Sequence, residues 1–491
     1  MTRPADGIIA TPAADYHVCK IFLNVYNHTM FIKSRFASQR LCGLVVFFVL
    51  LAFFISNTSA ADEQLSITAA GAVGDGSTLN TAAIQKAIDQ LAAGGGGTLV
   101  IPQGEFLSGA IFLKPGVNLH LDKGAVLQGS ADIRNYPETM TRIEGHFQVW
   151  IPALVNATNT DHLRISGEGT IQGGGKPYWD AFWKSIARDN KPKNLGRVGV
   201  RVIPTKNLDV PRPRNMFISD SKDVQISGIS LRQSGFWNLH LFRCSDVLIE
   251  NMNITSTNKA PSTDGIDVDS CQNVTIRGCC ISVDDDNIAL KGNKGTSAWD
   301  DKTIPPDEHI RISGCTFGMG NSALTLGSEA TLVRDVVIED CKLAPAGTNV
   351  NCVLKLKLRT DTEQHYEDIT ARNITVNNTH AQMVSIEGWS QYFDLNGKPA
   401  PSQIATNITL ENISGNLQKF GVVNGPKKST VTGLTFRNIN LTLNVPDVTV
   451  QGVNNLVMDN VNIKSAPAKE KRSKTRKGTP APTDQDDQDA K

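Results

Sequence analysis

Residues 262–291 read STDGIDVDSCQNVTIRGCCISVDDDNIALK, and two pieces inside them, TDGIDV and DDNIAL, can be laid over each other. In that overlay Ile266 falls on Ile288, Val268 on Leu290, Gly265 on Asn287 and Asp264 on Asp286, an offset of 22 residues. That offset is the length of one coil of a parallel β-helix, whose coils stack at an inter-strand spacing of about 4.8 Å. Asp264 and Asp286 then become near neighbours, with Asp285 beside them. Three carboxylates on one surface repel, so at least one pKa should rise. Acid–base hydrolysis needs such a group; a purely structural surface avoids it.

Outward from this stretch a short phrase returns: DVQISGISL at Asp223, DVLIENMNI at Asp246, NVTIRGCCI at Asn273, HIRISGCTF at His309, DVVIEDCKL at Asp335, DITARNITV at Asp368, NITLENISG at Asn407, GLTFRNINL at Gly433 and NLVMDNVNI at Asn455. The steps are 23, 27, 36, 26, 33, 39, 26 and 22 residues. A recurring unit with insertions of variable length is the signature of a solenoid. Apolar residues alternate within each phrase, so the units are strands. The expected fold is all-β, a single-stranded parallel β-helix.

One repeat position holds Asn251, Asn373, Asn412, Asn438 and Asn460, or Gly228, Gly278 and Gly314. These residue types tolerate a left-handed backbone, which predicts a tight turn stacked coil on coil. Cys279, Cys315 and Cys341 follow it, and Cys244 and Cys271 share another position. They read as internal stacks of small hydrophobes, with a disulfide between coils left open. Several Asn-x-Ser/Thr triplets fall in the asparagine ladder and need not signify glycosylation.

Aligning the core-facing pairs gives the columns of the outer face. One is His240, Asp267, Ala289, Thr325, Lys355 and Ser385; the next is Phe242, Asp269, Lys291, Gly327, Lys357 and Glu387. Just ahead run Trp237, Asp264, Asp286 and Ser322, with Asp285 adjacent to Asn321. Lys355, Lys357 and Arg359 alternate on one strand and put three cations on one face. Acid–base groups beside fixed cations suit cleavage of an anionic polymer.

Residues 1–60 read as a leader and secretory signal: Lys33, Arg35 and Arg40 precede an apolar run from Leu44 to Ile55 and the small residues Thr58-Ser59-Ala60. The run is short for a membrane span. Residues 61–464 form the expected β-helix domain, and its Gly71–Phe106 stretch holds an amphipathic helix with Ile84, Ala87, Ile88 and Leu91 on one face, suited to capping the end of the solenoid. Residues 465–491, basic then acidic, read as a disordered tail. A net charge of +1 points to neither nucleic acid nor membrane as partner, and 41 glycines suit a turn-rich β protein. Nine cysteines, two of them in the leader, argue against a fully paired disulfide framework.

These phrases together resemble glycoside hydrolase family 28, the polygalacturonases and their relatives, over nearly all of residues 66–464. The resemblance rests on GDGSTLNTAAIQKAID, on RPRNMFISDSKDVQISGISLRQSGFWNLH (Arg212–His240) and on the acidic motifs. The family's N-T-D stands here as Ser262-Thr263-Asp264, and its G-D-D as Asp284-Asp285-Asp286. The resemblance implies a right-handed parallel β-helix and an inverting hydrolase, with Asp285 as general acid and Asp264 and Asp286 holding and deprotonating the water. It implies pectic polysaccharide or oligogalacturonide as substrate, no cofactor or metal, a secreted or periplasmic location and a monomer. Asn321, Lys355, Lys357, Lys291, His240, Arg359 and Asp267 are the expected substrate-binding residues.

Two departures stand out. The family's G-H-G precedes L-S-I-G-S or L-T-L-G-S; here Gly320-Asn321-Ser322 comes before Ala323-Leu324-Thr325-Leu326-Gly327-Ser328, which sets Asn321 where the histidine is expected. Its R-I-K is Lys355-Leu356-Lys357, which keeps the charge and loses the guanidinium fork. Both changes point to a specialised branch, on rhamnogalacturonan fragments or chain ends. The insert Lys176–Arg201, read as a loop bearing Tyr178, Trp179 and Trp183, either walls off the groove or packs its own rings. Two rival functions stay open: a calcium-dependent polyuronate lyase or epimerase, and a carbohydrate-binding solenoid without catalysis.

Overall fold

The structure is a computed structural model that describes residues 63–189, 206–343, 348, 350–377 and 380–467. The leader and residues 468–491 of the charged tail lie outside the described residues. Among those described, no helix is long and apolar enough to cross a membrane.

Alternating sequence gives short strands, and each strand pairs in parallel with its counterpart one coil on. The chain is a parallel β-helix with three strand positions per coil. One ladder carries the site: β1 (Met216–Ser219), β2 (Leu239–Phe242), β3 (Ile266–Asp269), β4 (Asp286–Lys291), β5 (Ser322–Leu326), β6 (Cys352–Arg359) and β7 (Gln382–Trp389), paired in that order. Register follows the aligned columns: His240 opposes Asp267, Asp267 opposes Ala289, Thr325 opposes Lys355 and Lys355 opposes Ser385. Period-2 alternation sends Ile266, Val268, Ile288 and Leu290 into one continuous core.

The corners explain the polar residues of the repeat. Asn251, Asn373, Asn412, Asn438 and Asn460, with Gly228, Gly278 and Gly314, all have positive φ, and Asp340 joins them. The asparagines form a hydrogen-bonded ladder: Asn412 Nδ2 donates to Asn373 Oδ1 (3.0 Å), Asn438 Nδ2 to Asn412 Oδ1 (3.1 Å) and Asn460 Nδ2 to Asn438 Oδ1 (2.8 Å). A second left-handed corner opens each phrase, at Asp223, Asp246, Asn273, His309, Asp335, Asp368, Asn407, Gly433 and Asn455. The seven cysteines of the described residues are free thiols, and Cys244, Cys271, Cys279, Cys315 and Cys341 are buried in the core.

Two helices lie outside the repeat. Helix α1 (Thr81–Ala93) buries Ile84, Ala87, Ile88 and Leu91, the face drawn from its sequence. Helix α2 (Lys176–Asp189) occupies the stretch expected to be a loop. Its apolar spacing at Tyr178, Trp179 and Phe182 buries one face, fixed by hydrogen bonds from Tyr178 Oη to the Ser130 carbonyl (2.7 Å) and Trp179 Nε1 to the Ser234 carbonyl (3.0 Å). Trp183 stays partly exposed and donates to the Lys259 carbonyl (2.7 Å), so α2 lies against the segment leading into Asp264.

Candidate active site

Adjacent coils bring the three aspartates together. The Gly265 amide at the head of β3 donates to the Asp286 carbonyl (2.9 Å), so Asp264 sits beside the first residue of β4. Asp264, Asp285 and Asp286 line one narrow cavity of about 60 Å³ with Lys291, Lys357 and Trp237.

Each carboxyl has a different environment. Asp286 is buried, which alone would raise its pKa, but Lys357, Lys355 and Lys291 outweigh that and hold it below its ordinary range. Lys357 Nζ lies 2.6 Å from Asp286 Oδ2, while Thr325 Oγ1 (2.8 Å) and Ser322 Oγ (3.2 Å) donate to Oδ1. Asp286 is therefore held ionised. Asp264 is also buried, and burial together with the charges of Asp285 and Asp286 pushes it up to about 7 against the pull of Lys291, 3.2 Å away. Asp285 is half-buried and accepts a hydrogen bond from Asn321 Nδ2 (2.7 Å).

Lys291 has more than one carboxylate to satisfy. Its Nζ stands 3.2 Å from Asp264, 3.5 Å from Asp267 and 3.9 Å from Glu329, and 4.7 Å from the Trp237 ring centroid. Burial would neutralise it, yet those carboxylates hold it charged. Asp267 is sealed beneath the site, where burial and the Asp264 charge lift its pKa well above the usual carboxylate range.

The expected substrate-binding residues divide. Lys291 and Lys357 line the catalytic cavity, and Asn321 touches Asp285. Lys355 is half-buried, with its Nζ 5.4 Å from the Trp389 ring centroid. Arg359 is buried, with Nε 2.6 Å from Asp361 Oδ1, and it lines a separate, larger cavity. His240 and Asp267 are 0 % exposed and present no face to the cavity. His240 Nδ1 meets Arg214 Nη1 at 2.7 Å and Nε2 meets Asp269 Oδ2 at 3.3 Å; burial is the main reason its pKa falls to about 4. The ends of β2 and β3, Phe242 and Asp269, are not surface because the antiparallel hairpin Thr139–Ile143/His146–Trp150 lies over them, Phe147 edge-on to Phe242 and Arg142 gripping Asp269 at 2.9 and 3.1 Å, while Asp267 lies under Lys291 at 3.5 Å.

The register also moves one motif residue. Counting back from Leu324–Ser328 puts the G-H-G motif on Asn321-Ser322-Ala323, so its histidine corresponds to Ser322, which pairs with Asp286 in the ladder. A hydroxyl that donates to Asp286 stands there in place of an imidazole, and Asn321 donates to the neighbouring Asp285. Sequence reasoning missed Glu144, Glu329 and Trp389 among the lining residues. Trp389 was within reach, since it pairs with Arg359 one step along the column already drawn.

Paired carboxyls of unlike protonation, on coils of a parallel β-helix, agree with the comparison to known proteins. The profile described as "Glycosyl hydrolases family 28" matches residues 94–466. The chain belongs to this family. It is similar to an exopolygalacturonase of Zea mays (26 % identical, covering 83 % of this chain and 85 % of that one) and to an endo-polygalacturonase of Pectobacterium carotovorum subsp. carotovorum (27 %, covering 82 % and 93 %). The fold is similar to the crystal structure of a hyperthermoactive exopolygalacturonase from Thermotoga maritima, with a TM-score of 0.63 at 23 % identity over 82 % of this chain and 92 % of that one. As a family 28 member the protein is a glycoside hydrolase.

Proposed function

We propose that the protein hydrolyses α-linked galacturonic acid bonds in pectic polysaccharide, with inversion at the anomeric carbon and from chain ends. One observation carries this reading: a single narrow cavity holds Asp264, Asp285 and Asp286, with Lys357 pinning Asp286 in its ionised form. Inverting hydrolysis requires one carboxylic acid to protonate the leaving oxygen and one carboxylate to deprotonate a water on the opposite face. Asp285 donates the proton to the leaving glycosidic oxygen. Asp286 takes the proton of the water, which Asp264 helps to hold. Lys291 and Lys357, both facing the cavity, offset the charge of a uronate carboxylate there.

Release from chain ends is supported by the small volume of the cavity and by α2 against the segment entering Asp264. The leader supports export to the periplasm or beyond, and the protein acts as a monomer. Digestion of polygalacturonate with anomer-resolved NMR tests the reaction. The expected outcome is single galacturonate units from the first minutes, initially as the β-anomer. Early release of mixed oligomers would refute end-wise action, retained configuration would refute inversion, and unsaturated ends absorbing in the ultraviolet would make the enzyme a lyase.

A further inference from the structure

A larger cavity lies beside the one that holds the aspartates. It has a volume of about 470 Å³, within the range of about 300–1,000 Å³ usual for small-ligand sites. The hairpin at 145–147, the loop 293–304 after β4 and the loop 392–396 after β7 enclose it. Two ion pairs make the wall it shares with the catalytic cavity: Lys294 Nζ to Glu144 at 3.5 Å and Arg359 Nη1 to Glu329 at 3.7 Å. Lys294 and Arg359 face the large cavity; Glu144 and Glu329 face the catalytic one.

The two cavities differ in available charge. In the large one every arginine and lysine is already engaged. Arg142 gives Nε and Nη2 to Asp269 and Nη1 to Asn293 (2.8 Å). Arg359 gives Nε and Nη2 to Asp361 (2.6 and 3.1 Å) and its remaining donors to the Gln391 and Tyr392 carbonyls (3.0 and 3.1 Å). Partial desolvation, then the charges of Lys294 and Arg142, lower the pKa of the exposed His146. Asp301 and Asp394 line the same space, and among the described residues no lysine or arginine nitrogen lies within ion-pair distance of either. A uronate carboxylate there would meet Asp301, held ionised by hydrogen bonds from Thr303 and Asn293, and Asp394, while Lys398, outside the lining, is hydrogen-bonded to Ser297 (2.7 Å).

What the cavity offers instead is two carboxylates that accept hydroxyl protons and two exposed rings, Phe147 (50 % exposed) and Tyr392 (37 % exposed). A ring face takes the C–H face of a sugar, and a carboxylate takes two hydroxyls. We propose that this cavity is a subsite for an uncharged pyranose, next to the catalytic cavity that takes the uronate. This rests on the hydrolase reading above and narrows it: the substrate is a pectic chain in which a charged unit neighbours an uncharged one. A neutral branch or backbone sugar and a methyl-esterified uronate share that chemistry.

The test compares four substrates: bare polygalacturonate, galacturonan with neutral pyranose branches, galacturonan alternating with a neutral deoxyhexose, and methyl-esterified galacturonan. With wild-type protein, kcat/KM is expected to be higher on at least one neutral-bearing substrate than on the bare polymer by about tenfold. The ester arm separates a blocked carboxyl from a true neutral sugar. Ser297→Trp fills the cavity and should cut that ratio by about tenfold; Asp394→Lys, which places a cation there, should cut it too. Calorimetry on Asp285→Asn with matching oligosaccharides reads the same preference without turnover. A preference in binding with no hydrolysis of any polymer would sink the hydrolase reading and leave the subsite standing. Bare oligogalacturonate bound as tightly as the neutral-bearing ones overturns the subsite, as does a ratio unmoved in both variants. If Ser297→Trp fails to fold, Asp394→Lys and the wild-type comparison decide.

Discussion

The asparagine corner and the β1–β7 face are made by the same repeat, yet they satisfy their polar groups in opposite ways. At the corner each amide donates to the coil below, Asn438 to Asn412, Asn412 to Asn373 and Asn373 to the Asp340 carboxylate (3.0 Å), so the ladder meets its hydrogen bonds within the stack and ends on a single charge. On the β1–β7 face the outward positions hold charges whose partners come from far along the chain. Asp269 is met by Arg142 of the hairpin, and Asp286 by Lys357 from two coils on. A repeat can satisfy hydrogen bonds by stacking, because like amides in register both donate and accept. It cannot do so for charge, because like carboxylates in register repel. The catalytic face therefore depends on insertions and on breaks in the repeat.

The sharpest way to break this contrast is at Asp285. Asp285→Asn removes the proposed proton donor while keeping shape, and general acid catalysis is worth about 10²–10⁴-fold, so kcat should fall by that factor. Thermal unfolding should hardly move. Turnover near the wild-type level would remove Asp285 from the mechanism.

Next in size is the ion pair that keeps Asp286 ionised. Lys357→Met leaves a buried carboxylate without its cation, a loss of about 3–5 kcal/mol, seen as a lower midpoint in denaturant. The sign with pH follows from the depressed Asp286. In the wild type its contribution is complete above the ordinary value of 3.8 and is lost as pH falls through the lower folded value. In Lys357→Met the Asp286 carboxyl moves up, so the acid limb of kcat/KM shifts to higher pH. An unchanged acid limb would show that some group other than Lys357 sets the ionisation of Asp286.

Much of this was legible. The offset between TDGIDV and DDNIAL fixed the register of β3 on β4, and the columns from Leu239 to Ile386 follow from it because pleated strands alternate strictly. The left-handed corners were legible from Asn and Gly, although the Asp, Asn and His that open each phrase carry the same signal and went unread. What covers the columns was not legible. Arg142 and Asp269 are 127 residues apart, and no periodicity links a one-off hairpin to the coil it lands on. For that reason His240 and Asp267 were placed at the surface and lie beneath it. Helix α2 was missed because its aromatic cluster sits in an insertion outside the repeat, and Ser322 rather than Asn321 stands opposite Asp286 because the strand begins at Ser322.

A smaller effect is expected at the corner. Asn412→Ala removes both ladder hydrogen bonds and puts a residue with a Cβ and no local polar contact at φ 53°. The two losses add to about 1–3 kcal/mol of stability, with kcat/KM unchanged. Asn412→Gly keeps the backbone at ease and should recover part of it. If Ala and Gly cost the same, the hydrogen bonds and not the left-handed turn dominate this corner.

The smallest effect should come from the cysteine stack, and it tests whether the corner is closed by packing or by covalent links. Cys279, Cys315 and Cys341 follow the corner in adjacent coils, with their thiols directed at main-chain carbonyls of the preceding turn (3.4, 3.4 and 3.1 Å). The hydrogen bond with Cys279 pulls the Cys315 thiol down, but hydrogen bonding to Cys341 and burial prevail and push it up to about 12, whereas the Cys341 thiol is lowered by its bond to Cys315; all three sulfurs are free. Unfolding should then be identical with and without reductant, and thiol titration of denatured protein lacking the leader should count seven free groups. A midpoint that falls on reduction would mean that adjacent coils are stapled and that the ladder carries less of the stability than its hydrogen bonds suggest. Cys315→Ala separates the two cases, since deleting one buried sulfur costs only its contacts when no bridge exists.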